Sequence, residues 1–232
     1  MTADTMNYFE KIQNSDWWQK ATQCFDRHYD ESDGIMLTDH LIAVTENVRE
    51  LFNQPHNLFL HNMFELLQVL KLSVEKVKEE LLIIAMLHDI GKIEDDKSLY
   101  VDHPLNGELV LYRHPVASVN AAIDILGNET SLSNDEKLRI YWTIEQHDIS
   151  YGLFREYIKK AHVPSFQTWK YINNNISTIP GAGLLYLLLF KLADIHGHAN
   201  IADVIWFYST VKENYYNPLG IKLPIPLEKD IR

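Results

Sequence analysis

Residues 81–92 read LLIIAMLHDIGK. A run of seven apolar residues predicts a helix buried on nearly all sides, and His88 and Asp89 stand at its end, just before Gly91, which lets the chain turn. An ionised aspartate beside an imidazole at the end of a buried helix is costly unless a cation or an ion pair compensates it. A divalent metal does this well, because histidine offers a neutral nitrogen and aspartate an anionic oxygen. Neighbouring residues on a helix point about 100° apart, so the pair can grip one ion from two sides or bridge two.

Two ligands do not fill a coordination shell. His40 opens an earlier helical stretch, TDHLIAVTENV at 38–48, and Asp194 lies in KLADIHGH at 191–198 after a long apolar run. Both are polar residues on otherwise apolar faces. Taken singly, each is more often a hydrogen-bonded core residue than a ligand; taken with His88 and Asp89, they complete a donor set.

The bulk composition is compatible with this. The chain has 232 residues, 46% hydrophobic and 23% charged, which suits one sizeable folded domain. Its 21 basic and 32 acidic residues give a formal charge of -11, which disfavours long nucleic acid as a partner. A small phosphorylated substrate stays compatible, because a bound metal reverses the potential inside a pocket. Cys24 is the single cysteine, so neither an intrachain disulfide nor a cysteine zinc site can form; it reads as a small, partly buried apolar residue. The opening MTADTMNYFEK lacks the pattern of a signal peptide, and the longest apolar run, Leu184 to Phe190, is too short to span a bilayer. A cytoplasmic protein with no membrane partner is the expectation.

Only 9 glycines and 8 prolines punctuate the chain, and the apolar spacing is mostly helical. A continuous amphipathic helix is expected over 4–29, carrying Phe9, Ile12, Trp17, Trp18 and Phe25. Thr38 or Asp39 is expected to cap a helix to about Phe52, with Ile42, Val44, Val48 and Leu51 inward. Further helices are expected over 58–70, from Ser73 to Gly91, from Pro115 to Gly127, and from the Ser133–Glu136 capping box to His147. Weaker ones follow at about 151–161 and 165–174, then a long helix over 183–213. The stretch 93–113 reads as irregular and able to cover a site, and the residues around Pro218, Pro224 and Pro226 as an extended tail. The whole reads as one all-α domain over 1–232, with a core of about 36–213 and no strand ladder.

The ordered pattern His40, His88-Asp89, Asp194, with HDIGK at 88–92, resembles the HD superfamily of metal-dependent phosphohydrolases over roughly residues 36–200. The HD dipeptide alone is common; HDIGK closing an apolar helix, with an earlier His and a later AD, is specific. The resemblance implies a bundle of α-helices around the metal and names His40, His88, Asp89 and Asp194 as first-metal ligands. His114 in RHPVASVNAA and His147 in IEQHDISYG extend it to the H…HD…H…H…D order of two-metal members. These include cyclic-nucleotide phosphodiesterases, HD-GYP proteins and mixed-valent di-iron oxygenases. In that version His114 and His147 complete a second site with Asp89 bridging. The HD regions of tRNA nucleotidyltransferases are also similar around HDIGK, but no nucleotidyltransferase domain precedes this one. The HD-GYP signature is missing too, since Ser150-Tyr151-Gly152 follows His147-Asp148.

His103, in the polar VDHPLNGE, competes with His114 and reads better as a loop residue. His198 shares a helical face with Asp194 and is a candidate substrate-facing residue. Lys92 and Arg113 are candidates to neutralise a phosphoryl oxygen, Lys92 through its place in HDIGK and Arg113 only through adjacency to His114. Asp148 reads equally as a partner of a histidine or as a helix-end carboxylate. The implied cofactor is one or two divalent ions, of Mn, Fe, Co, Ni or Zn, with Mg also compatible. Three functions are compatible with these ligands: hydrolysis of a nucleotide or other small phosphate ester by a metal-activated water; di-iron oxygenation of a C–C or C–P bond; and non-catalytic ligand sensing. The hydrolase reading leads, with Asp89 and Lys92 as its catalytic residues. Oligomeric state is not encoded in any of these features.

Overall fold

The computed structural model describes residues 3–26, 35–54, 57–93, 100–102, 109–111, 113–174, 176, 179–195 and 201–231. His103 and His198, two of the candidates above, lie outside this set, as do His28, His56 and His196.

The centre of the molecule is made by α5 (Val74–Leu87) and α10 (Ala182–Asp194). From Leu81 onward α5 has no exposed side, and every residue of α10 through Ala193 is buried. This follows directly from their unbroken apolar runs. Around them pack α3 (Leu37–Phe52), α4 (Leu58–Val69), α6 (His114–Leu126) and α7 (Asn134–Gln146). The outer shell is α1 (Ala3–Gln13), α2 (Asp16–Ala21), α8 (Ile149–Lys160), α9 (Phe166–Ile172) and α11 (Ala202–Val211), with a terminal turn α12 (Glu228–Ile231). The fold is all-α, and no helix among the described residues is long and apolar enough to cross a membrane. Cys24 is half-buried against the core, as expected.

Local sequence signals explain several helix starts. Ser133 and Glu136 form the reciprocal capping box at α7, and Ser73 accepts from Lys76 N at α5. Pro115 occupies the first turn of α6.

Other expectations are corrected. The helix over 4–29 is broken at Asn14–Ser15, because the Ser15 hydroxyl accepts from Trp18 N and starts α2 afresh. Phe25 leaves the helix altogether, bridges to Met36 and is 43% exposed. Neither Thr38 nor Asp39 caps α3: its N-cap is Met36, and the Cys24 carbonyl takes the Leu37 N–H that a cap would otherwise leave open. Ile42 is 42% exposed, and Leu41 takes the inner position assigned to it. The stretch 93–113 contains a short antiparallel pair, β1 (Tyr100–Asp102) with β2 (Leu109–Leu111), where no ladder was expected. The long helix over 183–213 stops at Asp194, resumes as α11, and closes in a π-helical turn over Lys212–Tyr216. The tail is not extended to its end, since α12 turns Ile231 into the core.

The helix expected to run to Gly91 ends instead at Leu87, with His88 as its C-cap, and Ile90–Ile93 form a 3-10 turn. Gly91 is required for a different reason than turning. A Cβ there would lie 2.4 Å from Ser118 N and 2.6 Å from His114 O, both backbone atoms of α6. Gly91 N also donates to Ser118 Oγ at 2.9 Å. The glycine therefore lets the His88-Asp89 end approach the helix that begins with His114. Gly91→Ala is expected to lower stability by about 3 kcal/mol, the upper end for overpacking, since backbone must move. A denaturant midpoint unchanged from wild type would refute this close-approach account.

Candidate metal centre

Three helix ends and two helix starts converge, one of the starts being that of α6 at His114. α5 ends at His88-Asp89, α7 ends at His147-Asp148, α10 ends at Asp194, and α3 brings His40 in its first turn. His88 and His147 are placed by the same device. Each is the C-cap of its helix, and each ring Nδ1 donates to the carbonyl three residues back, Ala85 at 3.0 Å and Ile144 at 2.7 Å. Those carbonyls are among the last four of their helices, which lack intrahelical donors. A carbonyl only accepts, so both rings carry a proton on Nδ1 and turn inward Nε2, the nitrogen whose lone pair a metal ion would take in place of a proton. Phe190 of α10 lies edge-on to both rings, at 5.1 and 6.4 Å between centroids, and closes the floor.

Asp89 stands at the middle. Its Oδ2 is 3.2 Å from His40 Nε2 and 3.3 Å from His88 Nε2; its Oδ1 is 3.1 Å from His114 Nε2 and 3.3 Å from His147 Nε2. The two oxygens of one carboxylate thus face two separate histidine pairs, and within each pair the Nε2 atoms approach to 3.3 Å. Asp194 Oδ1 joins the first pair, 3.5 Å from His88 Nε2. Asp148 joins the second, 3.3 Å from His114 Nε2 and 3.6 Å from His147 Nε2. Three groups have ligand atoms within 4.8 Å of one another: His40, His88 and Asp194; His88, Asp89 and His147; His114, His147 and Asp148. Each could hold a metal ion. Imidazole nitrogen with carboxylate oxygen, and no thiolate, suits a divalent transition ion.

The electrostatics support that fit. Burial works against the charge on His88, but Asp89 and Asp194 outweigh it and raise its pKa to about 10. Burial likewise opposes charge on His114, and Asp148 and Asp89 raise it to about 9. Burial would push Asp89, Asp148 and Asp194 up, yet their cationic neighbours hold each well below the usual carboxylate range. The carboxylates stay ionised and draw positive charge toward themselves, which is what a cation site requires.

All six residues read from the sequence as candidate ligands, His40, His88, Asp89, His114, His147 and Asp194, are therefore brought together. Lys92 is buried beside them, its Nζ 2.6 Å from Asp89 Oδ2. Arg113 is the exposed N-cap of α6, in the left-handed region at φ 73°. His61 pairs with Glu65 on the surface, away from any role here.

Three further neighbours line the site: Lys191 and Asp26 were not anticipated, and Asp148 was read equally as a histidine's partner or a helix-end carboxylate. Asp148 contributes a carboxylate to the second group; the signal for it is the repeated His-Asp-Ile, at 88–90 and again at 147–149. Lys191 is buried and places Nζ 2.9 Å from Asp194 Oδ2, three residues ahead on the same helix. Asp26 reaches in from the N-terminal part of the chain to Lys92 and His40. No local pattern marks Asp26.

The site has a closed and a more open side: His88, Asp89 and His147 are buried, whereas the side chains of Asp194, His40 and Asp148 are 14%, 19% and 44% exposed. Asp148→Asn is expected to weaken metal uptake at the second group by about 10- to 100-fold and leave the first within about twofold. Equal loss at both groups in calorimetric titration would contradict two separate groups. Comparison of this chain with protein-family models, curated proteins and solved structures yields no match.

Proposed function

We propose that the chain is an HD-superfamily phosphohydrolase that hydrolyses a small phosphate ester, such as a nucleotide, at a two-metal centre. The observation that carries this reading is the placement of Asp89, one carboxylate with each oxygen turned to its own histidine pair. His40, His88 and Asp194 would hold one ion, His114, His147 and Asp148 the other, with Asp89 shared. Bound divalent ions supply Lewis acidity, polarising a phosphoryl group and making a water acidic enough to attack at neutral pH.

With two divalent ions bound, the charges of the centre would favour an anionic substrate. Asp26, Asp89, Asp148 and Asp194 carry four negative charges, and Lys92 and Lys191 return two positive ones. Two divalent ions turn that net of two negative charges into two positive, the complement of a phosphate dianion. Lys92 is held by two carboxylates and orients Asp89; the solvent-facing edge at His40, Asp194 and Asp148 is where the ester would enter.

The test is a broad panel of phosphomonoesters and phosphodiesters, nucleotides included, against protein loaded with Mn, Co, Ni or Zn and against chelated protein. Hydrolysis that chelation abolishes supports the proposal. A fully loaded preparation inert across the panel overturns it. So does protein isolated with iron that gives a mixed-valent paramagnetic signal and consumes dioxygen, which establishes the oxygenase instead.

A further inference from the structure

The N-terminal arm is fastened to the bundle at three places. Tyr8 Oη lies 2.6 Å from Ser131 Oγ, Lys11 pairs with Glu129 at 3.2 Å, and Trp17 Nε1 donates to Asp124 at 3.1 Å. The arm then runs into a strand-like pairing with the residues ahead of α3. Asp26 N donates to Ile35 O at 2.8 Å, and Leu37 N donates to Cys24 O at 2.9 Å. This fixes Asp26 against the first turn of the helix that carries His40.

The Asp26 carboxylate divides its oxygens between two residues of the centre. Oδ1 is 2.9 Å from Lys92 Nζ, and Oδ2 is 3.6 Å from His40 Nδ1. Lys92 in turn lies 2.6 Å from Asp89 Oδ2, the same oxygen that faces His40 and His88. A lysine cation and a metal ion at the first group would therefore share one carboxylate oxygen and repel each other. A second carboxylate on Lys92 offsets that repulsion and draws the ammonium toward the arm. Its other oxygen lies beside His40 Nδ1, on the opposite side of the ring from the Nε2 that faces Asp89.

We propose that Asp26 is a positioning residue for the first metal group, acting through Lys92 and His40 rather than as a ligand. The inference rests on the metal-centre reading given above. It makes the arm, which contributes no predicted ligand, a determinant of how tightly one of the two ions is held.

The experiment is a cobalt(II) titration of the full chain, followed by calorimetry and by the visible absorption of the bound ion. It is done in an Asp148→Asn background so that the first group dominates. Adding Asp26→Asn is expected to lower the first-group affinity by about 10- to 100-fold. Adding Lys92→Met to Asp26→Asn is expected to restore most of that loss, because the cation that Asp26 offsets is then gone. Asp26→Glu, which keeps the charge, is expected to retain more affinity than Asp26→Asn, and it serves as the working variant should the asparagine protein not fold. A purely structural role for the arm would lower thermal stability but leave the cobalt affinity and spectrum of the folded protein unchanged. Affinity within twofold of the Asp148→Asn parent, or a loss that Lys92→Met deepens, overturns the inference while leaving the metal centre intact. A wild-type protein that takes up no cobalt at all refutes the metal centre itself, and the role of Asp26 with it.

Discussion

Asp89→Asn is expected to empty both metal groups together, with affinity falling at least about a hundredfold at each, the upper range for changes to a mere outer-shell partner. The expectation follows from geometry. Each oxygen of this carboxylate lies within 3.3 Å of two Nε2 atoms, so one charged group faces both histidine pairs. An amide keeps the shape but carries no charge, and its NH2 end offers no lone pair to one of the pairs. Phosphoester hydrolysis should fall to background with it. Folding should survive, because Lys92 keeps Asp26 as a partner. Elemental analysis of the purified variant beside its thermal unfolding curve checks both halves. A variant that retains one full equivalent of metal would show that Asp89 does not bridge. One that loses metal without loss of any activity seen in wild type would point to the sensor reading.

The second large effect lies below the centre. Glu80 on α5 and Arg139 on α7 form a buried bidentate pair, Nε to Oε2 at 2.9 Å and Nη2 to Oε1 at 2.8 Å. The guanidinium also lies 5.5 Å from the ring centre of Tyr186 on α10. Numbering shows why this pair matters to the site. Glu80, Arg139 and Tyr186 each precede a candidate ligand, His88, His147 and Asp194, by eight residues, about two helical turns. The three helices that end in candidate ligands thus meet at a common level, about 12 Å beneath them.

Burial already pushes the Glu80 carboxyl up, even against its arginine. Arg139→Met leaves that group buried without its cation, and the expected loss is about 3–5 kcal/mol. For a chain of this length that corresponds to roughly 10 °C in the unfolding midpoint. Glu80→Leu combined with Arg139→Met should recover most of it, since two apolar side chains need no compensation. Calorimetric unfolding of the single and double variants decides the matter. A single variant within about 1 kcal/mol of wild type would mean that the clasp contributes little and that apolar packing alone sets the register of α5 and α7.

The two helices at the centre, and the residues at their ends, were legible for a simple reason. In LLIIAMLHDIGK and GLLYLLLFKLAD the apolar run leaves no polar face, so burial is forced, and a carboxylate at the end of a buried helix demands compensation. The capping box at Ser133 was legible because its two hydrogen bonds close within three residues. Breaks were harder to read. Ser15 ends α1 and caps α2 inside an apolar periodicity that runs through both. The end of α10 at Asp194 likewise falls within a pattern that continues as α11.

What the sequence determined by itself is therefore the all-α class, the central helices and the identity of six candidate ligands, because each rests on burial or on contacts within a few residues. What only the tertiary structure decided is which oxygen of Asp89 faces which histidine pair, and that Asp148, Lys191 and Asp26 belong beside them. Asp26 and Asp89 are 63 positions apart, yet meet through one lysine at 2.9 and 2.6 Å. Such a meeting depends on how the arm packs against α6 and α3. Hydrophobic burial, being non-directional, sets that packing only once the whole core has closed.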